Sequence, residues 1–366
     1  MKNAIVLFLC ILFASCSSNK KYTFLVGTYT ENESQGINVV DYNVKANTVS
    51  VKKVIGGIEN PSFVIVNKAK TIVVAVEETA SNDGGKVTSF SYDAKIEIFT
   101  KINSFFTKGN HPCTVAFSKN EKFVLVGNYS GGNISVFPID KSGKLSKNIQ
   151  FIQYDGKSIN GDRQEKSHVH SIVFHPSENN IFVTDLGRDV IEIIPFDENT
   201  IPFLQNKETK TVNVPKGSGP RHLVFNKAGT KAFVTFELTN EIALFDYKNN
   251  EFTLVKTINL TDDATKNGSA AEVRLSKNEK FLYASVRGND NFIAVVELEN
   301  EYKIIQKIPT LKAPRNFILT NNDKTILVAN QLSNSILIFN RDTKTGLLTA
   351  TSNEISINKP VYFCEF

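Results

Sequence analysis

Six segments of this chain are variations on one pattern. Among them are NPSFVIVNKAKTIVVAVEE, HPCTVAFSKNEKFVLVGNY, GPRHLVFNKAGTKAFVTFE and APRNFILTNNDKTILVANQ, each an alternating apolar strand, a polar turn and a second strand rich in β-branched or aromatic residues. The last apolar residue of each first strand falls at Val66, Phe117, Phe174, Phe225, Leu275 and Leu319, with spacings of 51, 57, 51, 50 and 44 residues. A period of about fifty residues confines a chain to architectures in which each unit buries its apolar faces against its neighbours. Two further strand-like runs follow most pairs, as in GGNISVFPID and NEIALFDY, so a unit holds about four strands. Four-stranded sheets repeated radially make a β-propeller.

A seventh unit is divided between the chain ends. FLVGTYTENESQGINVVDYN matches the second and third strands of the others, and KPVYFCEF matches a first strand and stops. Joining them predicts an all-β protein: a seven-bladed β-propeller with four-stranded blades over residues 21–366, closed by the C-terminal strand, with no second domain or linker.

Residues 1–20, MKNAIVLFLCILFASCSSNK, read as export rather than fold. One lysine, a short apolar run and small residues ending at Cys16 make a secretory signal, and LFASC followed by SSNK resembles a bacterial lipoprotein signal. That resemblance implies lipidation of Cys16 as the mature first residue and an exported protein anchored facing the periplasm, with no other membrane contact expected. Cys113 and Cys364 alone remain in the body, too few for a disulfide framework. The net charge of +5 is spread over 42 basic and 37 acidic residues without a dense basic block, so nucleic acid is not an expected partner.

The repeat also predicts a site. Twelve residues after the strand-closing apolar positions stand Glu78, Tyr129, Leu186, Glu237, Arg287 and Gln331, with Tyr29 from the divided unit; four residues before them stand Ser62, Cys113, His170, Arg221, Ala271 and Arg315, with Val361. In a regular hairpin these two sets lie opposite each other, at one mouth of the central channel. Three arginines, two glutamates, two tyrosines and a histidine collect there, yet no lysine or asparagine, the polar residues this chain uses freely elsewhere. Convergent charges of both signs suit a binding pocket better than a merely wet rim.

Together, GTYTENESQGI, NPSFV, RQEKSHVHSIVF, GPRHLVFNKAGTKAFVTFEL and AAEVRLSKNEKFLYASVRG resemble the propeller lactonase family, which holds bacterial 6-phosphogluconolactonases and the fungal carboxy-muconate lactonising enzyme. The resemblance implies a catalytic set at the histidine of HxHS, the arginine of GPRH, the glutamate ending the next strand and the arginine of RG, which here are His170, Arg221, Glu237 and Arg287. It also implies hydrolysis of a sugar lactone, 6-phosphoglucono-δ-lactone foremost. His170 and Glu237 would share the acid and base roles, and Arg221 and Arg287 would hold the oxyanion or an anionic group of the substrate. His168, Arg315, Tyr129, Glu78 and Gln331 are the expected substrate-binding residues. His168 and His170 are too few for a catalytic metal and have no HExxH partner, so neither metal nor cofactor is expected. A non-enzymatic propeller binding an anionic ligand or a protein partner is the alternative.

Overall fold

Several strands of this chain are apolar on both faces. Ile72–Glu77, Asn180–Asp185 and Thr325–Asn330 are buried at every position. Such a strand needs a packed layer on either side of its sheet. The computed structural model, which describes residues 20–31, 35–261, 268–299 and 301–366, meets that need with seven four-stranded antiparallel sheets in a ring. The expected export segment with Cys16 lies outside the described residues, apart from Lys20.

The strands are numbered β1 to β28 in chain order. Six blades are contiguous in sequence. Their innermost strands are β4 (Val64–Val66), β8 (Pro112–Phe117), β12 (Val169–Phe174), β16 (Pro220–Phe225), β20 (Gly268–Leu275) and β24 (Pro314–Leu319). The closing blade is composite: β28 (Pro360–Glu365) lies innermost and pairs antiparallel with β1 (Lys21–Thr28), Phe24 opposite Glu365 and Val26 opposite Phe363. The predicted seven blades and their C-terminal closure are the observed ones.

The core sits between blades. Phe24, Val26 and Phe363 of the closing blade interleave with Ile318, Leu327 and Ile336 of the blade before it. Outermost strands such as Leu348–Ser356 alternate between exposed and half-buried residues, because only one face meets a neighbour. The lysines absent from the site are used at the other end of the ring. There Lys68 donates to the carbonyl of Lys119, Lys119 to Glu178, Lys227 to Lys277 and Lys277 to Asn321, each at 2.5 Å, tying one blade's turn to the next.

One expectation about register is corrected. The residues twelve after each strand-closing position pair with those six before it: the Tyr129 N–H donates to the His111 carbonyl at 2.9 Å, and Glu237 to Gly219 at 2.8 Å. Of the seven residues four before it, Ser62 precedes the short strand β4 and the other six fall at a β-bulge of their innermost strand, out of the regular pairing. Cys113, His170, Arg315 and Val361 are the extra residues of four bulges, and the pairs Arg221–His222 and Ala271–Glu272 span the other two. A bulge frees a side chain from the pleat and re-aims it. Both sets still reach the same mouth, by different backbone devices.

Candidate active site

At that mouth Glu78, Cys113, Tyr129, Arg163, His170, Glu237, Arg287 and Arg315 line a cleft of about 250 Å³. Glu237 is its electrostatic centre. Its Oε1 lies 2.8 Å from Arg163 Nη2 and 3.2 Å from Arg287 Nη2, and its Oε2 lies 2.9 Å from Arg221 Nε, off the line of a hydrogen bond. Burial, the largest single influence, acts to raise the Glu237 pKa, but Arg287, Arg221, His170 and Arg163 together outweigh it and hold the carboxyl well below the usual range. Glu237 is therefore an anion at neutral pH.

The strand end fixes that anion. Gly219, whose carbonyl receives the Glu237 N–H, has φ +62°, and an added Cβ would stand 2.7 Å from Leu238 Cγ. Only glycine fits that turn at no steric cost.

Arginines exceed the anions available to them. Burial pushes Arg287 down to about 9, with Arg315 and Arg221 adding to the effect and Glu237 opposing it. The Arg315 side chain makes no hydrogen bond or ion pair among the described residues; its guanidinium lies 5.6 Å from the centre of the Tyr29 ring. Glu78 accepts a shared hydrogen bond from the Tyr29 hydroxyl, at 3.0 and 3.1 Å. Counting Arg221 just beneath the cleft, four guanidinium groups face two carboxylates, an excess of two positive charges.

His170 is the unengaged group. It is buried, its Nδ1 has no partner, and neither ring nitrogen hydrogen-bonds to a described residue. Its ring meets Tyr129 and His222 edge to face, with centroids 5.4 and 5.3 Å away. Burial, then Arg221 and His222, holds its pKa well below 6.5, so the imidazole is neutral at pH 7. A sealed, unpaired nitrogen such as this Nδ1 is costly to keep, and buried groups of that kind occur where a site has a use for them.

Of the predicted residues, the structure brings Glu78, Tyr129, His170, Glu237, Arg287 and Arg315 to one cleft. Arg221 does not line it. Fully buried, it lies 2.9 Å from Glu237 and donates from Nη1 to the Ala271 carbonyl at 2.8 Å, an arrangement that positions Glu237 from beneath the cleft. His168 lies behind Tyr129, stacked on its ring at 4.3 Å, with Nδ1 3.0 Å from the Tyr129 carbonyl and Nε2 3.1 Å from Glu165. Gln331 lines a neighbouring groove with Ser269 and Leu332. The Cys113 thiol donates to the Val169 carbonyl at 3.5 Å, and burial pushes its pKa far up, so it is no nucleophile. Among the described residues, no three His, Cys, Asp or Glu side chains group as metal ligands.

Arg163 is the residue that sequence reasoning missed. It belongs to the connection between β11 (Gln150–Gln153) and β12, outside every repeat position. A signal was present: the interval from Phe117 to Phe174 is 57 residues against 51 on either side, and the surplus forms this loop.

Comparison with known proteins agrees with the fold. The model of the family described as lactonase, 7-bladed beta-propeller matches residues 23–364. A 6-phosphogluconolactonase of Bacillus subtilis is 29% identical, covering 93% of this chain and 97% of its own; one from Formosa agariphila is 30% identical, covering 91% and 96%. A periplasmic gluconolactonase of Pseudomonas aeruginosa superposes with a TM-score of 0.86 at 27% identity, covering 94% of this chain and 98% of its own. The chain belongs to the seven-bladed β-propeller lactonase family. It is a hydrolase of lactone rings, as the sequence resemblance implied.

Proposed function

We propose that the cleft opens the lactone of a single sugar ring bearing a negative group, with 6-phosphoglucono-δ-lactone as the leading substrate. The observation that carries this reading is the unpartnered neutral imidazole of His170 beside an excess of guanidinium charge. A cleft of about 250 Å³ falls just under the ~300–1,000 Å³ of drug-sized ligand sites, which suits one ring. The names of the relatives favour catalysis over a propeller that only binds.

The roles follow from protonation. With His170 a neutral imidazole and Glu237 an anion at neutral pH, the base role falls to His170 and an electrostatic role to Glu237, rather than acid and base being divided between them. His170 takes the proton of a water as its oxygen attacks the ester carbonyl, and Arg287 and Arg315 hold the oxyanion that forms. When the ring C–O bond breaks, the imidazolium returns that proton to the leaving oxygen, and the product is a hydroxy acid. Glu237, held by Arg221, keeps Arg287 in place and stabilises the transient imidazolium.

Purified protein titrated in a pH-stat against anionic and neutral aldonolactones tests the reading. Arg287→Lys keeps the charge and loses the planar donor fork; turnover is expected to fall about tenfold or more, the scale of one charge-assisted hydrogen bond. A variant as fast as the parent, or no lactone opened at all, would sink it.

Residues 1–20 are proposed as an export signal and 21–366 as the folded domain, with Cys16 lipidated and the protein facing the periplasm. The apolar signal-like run and the periplasmic relative support this. Cys16→Ser is expected to move the protein from membrane to soluble fractions, since a multiply acylated cysteine anchors firmly; an unchanged distribution would point to a simple cleaved signal.

A further inference from the structure

Four arginines serve the cleft, and one differs in kind. Arg221, Arg287 and Arg315 stand on the strand framework, whereas Arg163 comes from the 154–168 connection, with its side chain 42% exposed. Its Nη2 is shared between Glu237 Oε1 at 2.8 Å and the Tyr129 hydroxyl at 3.2 Å.

The loop that presents it is built rather than slack. Gln164 is fully buried and donates to the Leu186 carbonyl at 2.8 Å, while its own N–H donates to the Asn160 carbonyl at 2.8 Å. The Asn160 side chain in turn accepts the Arg163 N–H at 3.1 Å. His168 ties Glu165 to the back of Tyr129. The backbone under Arg163 is thus fixed, and the long side chain is what can move.

Two partners are available to that guanidinium. If it leaves Glu237, the carboxylate keeps Arg287 and Arg221 at 3.2 and 2.9 Å and is not left bare in a buried place. Giving up this one ion pair therefore costs little, and a bidentate contact with an incoming phosphate or carboxylate offsets it. A neutral lactone offers no such exchange.

We infer that Arg163 is the specificity-determining residue of the cleft: it pairs with Glu237 at rest and transfers to the negative group of the substrate, at the open side away from the lactone carbonyl. The inference rests on reading the cleft as a sugar-lactone site. It commits the substrate class to lactones with an anionic substituent remote from the reacting ester.

The test is a selectivity ratio, kcat/KM for 6-phosphoglucono-δ-lactone over kcat/KM for glucono-δ-lactone, in the parent, Arg163→Gln and Arg163→Lys. Arg163→Gln is expected to lower the ratio about tenfold or more, chiefly through KM of the charged lactone, with Arg163→Lys intermediate because it keeps a point charge without the fork. Inhibition by 6-phosphogluconate should weaken in parallel, and inhibition by gluconate should weaken less. Should Arg163→Gln fail to fold, as thermal melting would reveal, the lysine variant carries the same ratio test. Equal losses on both lactones would make Arg163 a mere support for Glu237 and overturn the inference alone. A parent protein that opens neither lactone would overturn the reading of the cleft and this inference with it.

Discussion

Replacing His170 with alanine is expected to lower kcat by about a hundredfold or more, the usual scale for a lost general base. Any loss of stability should come from the packing of the ring against Tyr129 and His222 alone, because it gives up no hydrogen bond to a described residue. The pH profile supplies the second reading. Burial, Arg221 and His222 hold the imidazole neutral to well below pH 6.5, so parent activity should stay level from neutrality past that value and fall only at lower pH, as His170 takes up a proton. An acid limb centred at or above 6.5 would assign the base elsewhere. Glu237→Gln should also cost about a hundredfold, but with a different signature. Glu237 raises the His170 pKa, so its removal leaves the surrounding arginines to depress that pKa further, and the acid limb should move to lower pH. The same change strands Arg221 in a buried site without its counterion, and thermal stability should drop by about 3–5 kcal/mol, the range for one partner removed from a buried pair. The double variant should lose less than the product of the two, since residues acting as one unit are not additive. Near-parental rates in the double variant would place the chemistry outside this cleft.

The fold was legible because a propeller writes its geometry into the chain at a fixed period: the same hairpin recurs, and the side chains facing each mouth recur with it. That is enough to gather Glu78, Tyr129, His170, Glu237, Arg287 and Arg315. Three things escaped for physical reasons. A β-bulge adds a residue to one strand without changing the apolar pattern, so regular alternation cannot show that His170 and Arg315 are freed from the ladder while His168, before its strand, turns behind Tyr129. Depth along the channel escaped as well. Arg221 and Arg315 share one place in the repeat, yet one is sealed under Glu237 and the other faces the cleft, a difference set by neighbouring blades. Arg163 lies in a connection, where no repeat fixes position and where functional residues concentrate.

Deleting residues 358–366 is expected to abolish cooperative unfolding, because those residues supply the inner strand on which ring closure depends. Without β28, the edge of β1 loses its partners from Phe24 to Thr28, and an unpaired inner edge faces water and other chains. Phe363, 1% exposed, leaves its edge-to-face contact with Phe24, and Tyr362 leaves the face of Phe63, 3.8 Å away. Each fully buried side chain of this size contributes about 1.5–3 kcal/mol, so losing Val361 and Phe363 with Tyr362 removes a large part of the ~5–15 kcal/mol that separates folded from unfolded proteins. The loss reaches both neighbours, since β28 packs against β24 on one side and β4 on the other. Phe363→Ala gives a milder test of the same contact; it should cost about 3–5 kcal/mol while leaving a single cooperative transition, because the strand and its hydrogen bonds remain. A truncated protein that melts like the full-length chain would mean that six blades and a three-stranded remnant hold the ring unaided, and that the C-terminal strand decorates the closure rather than making it.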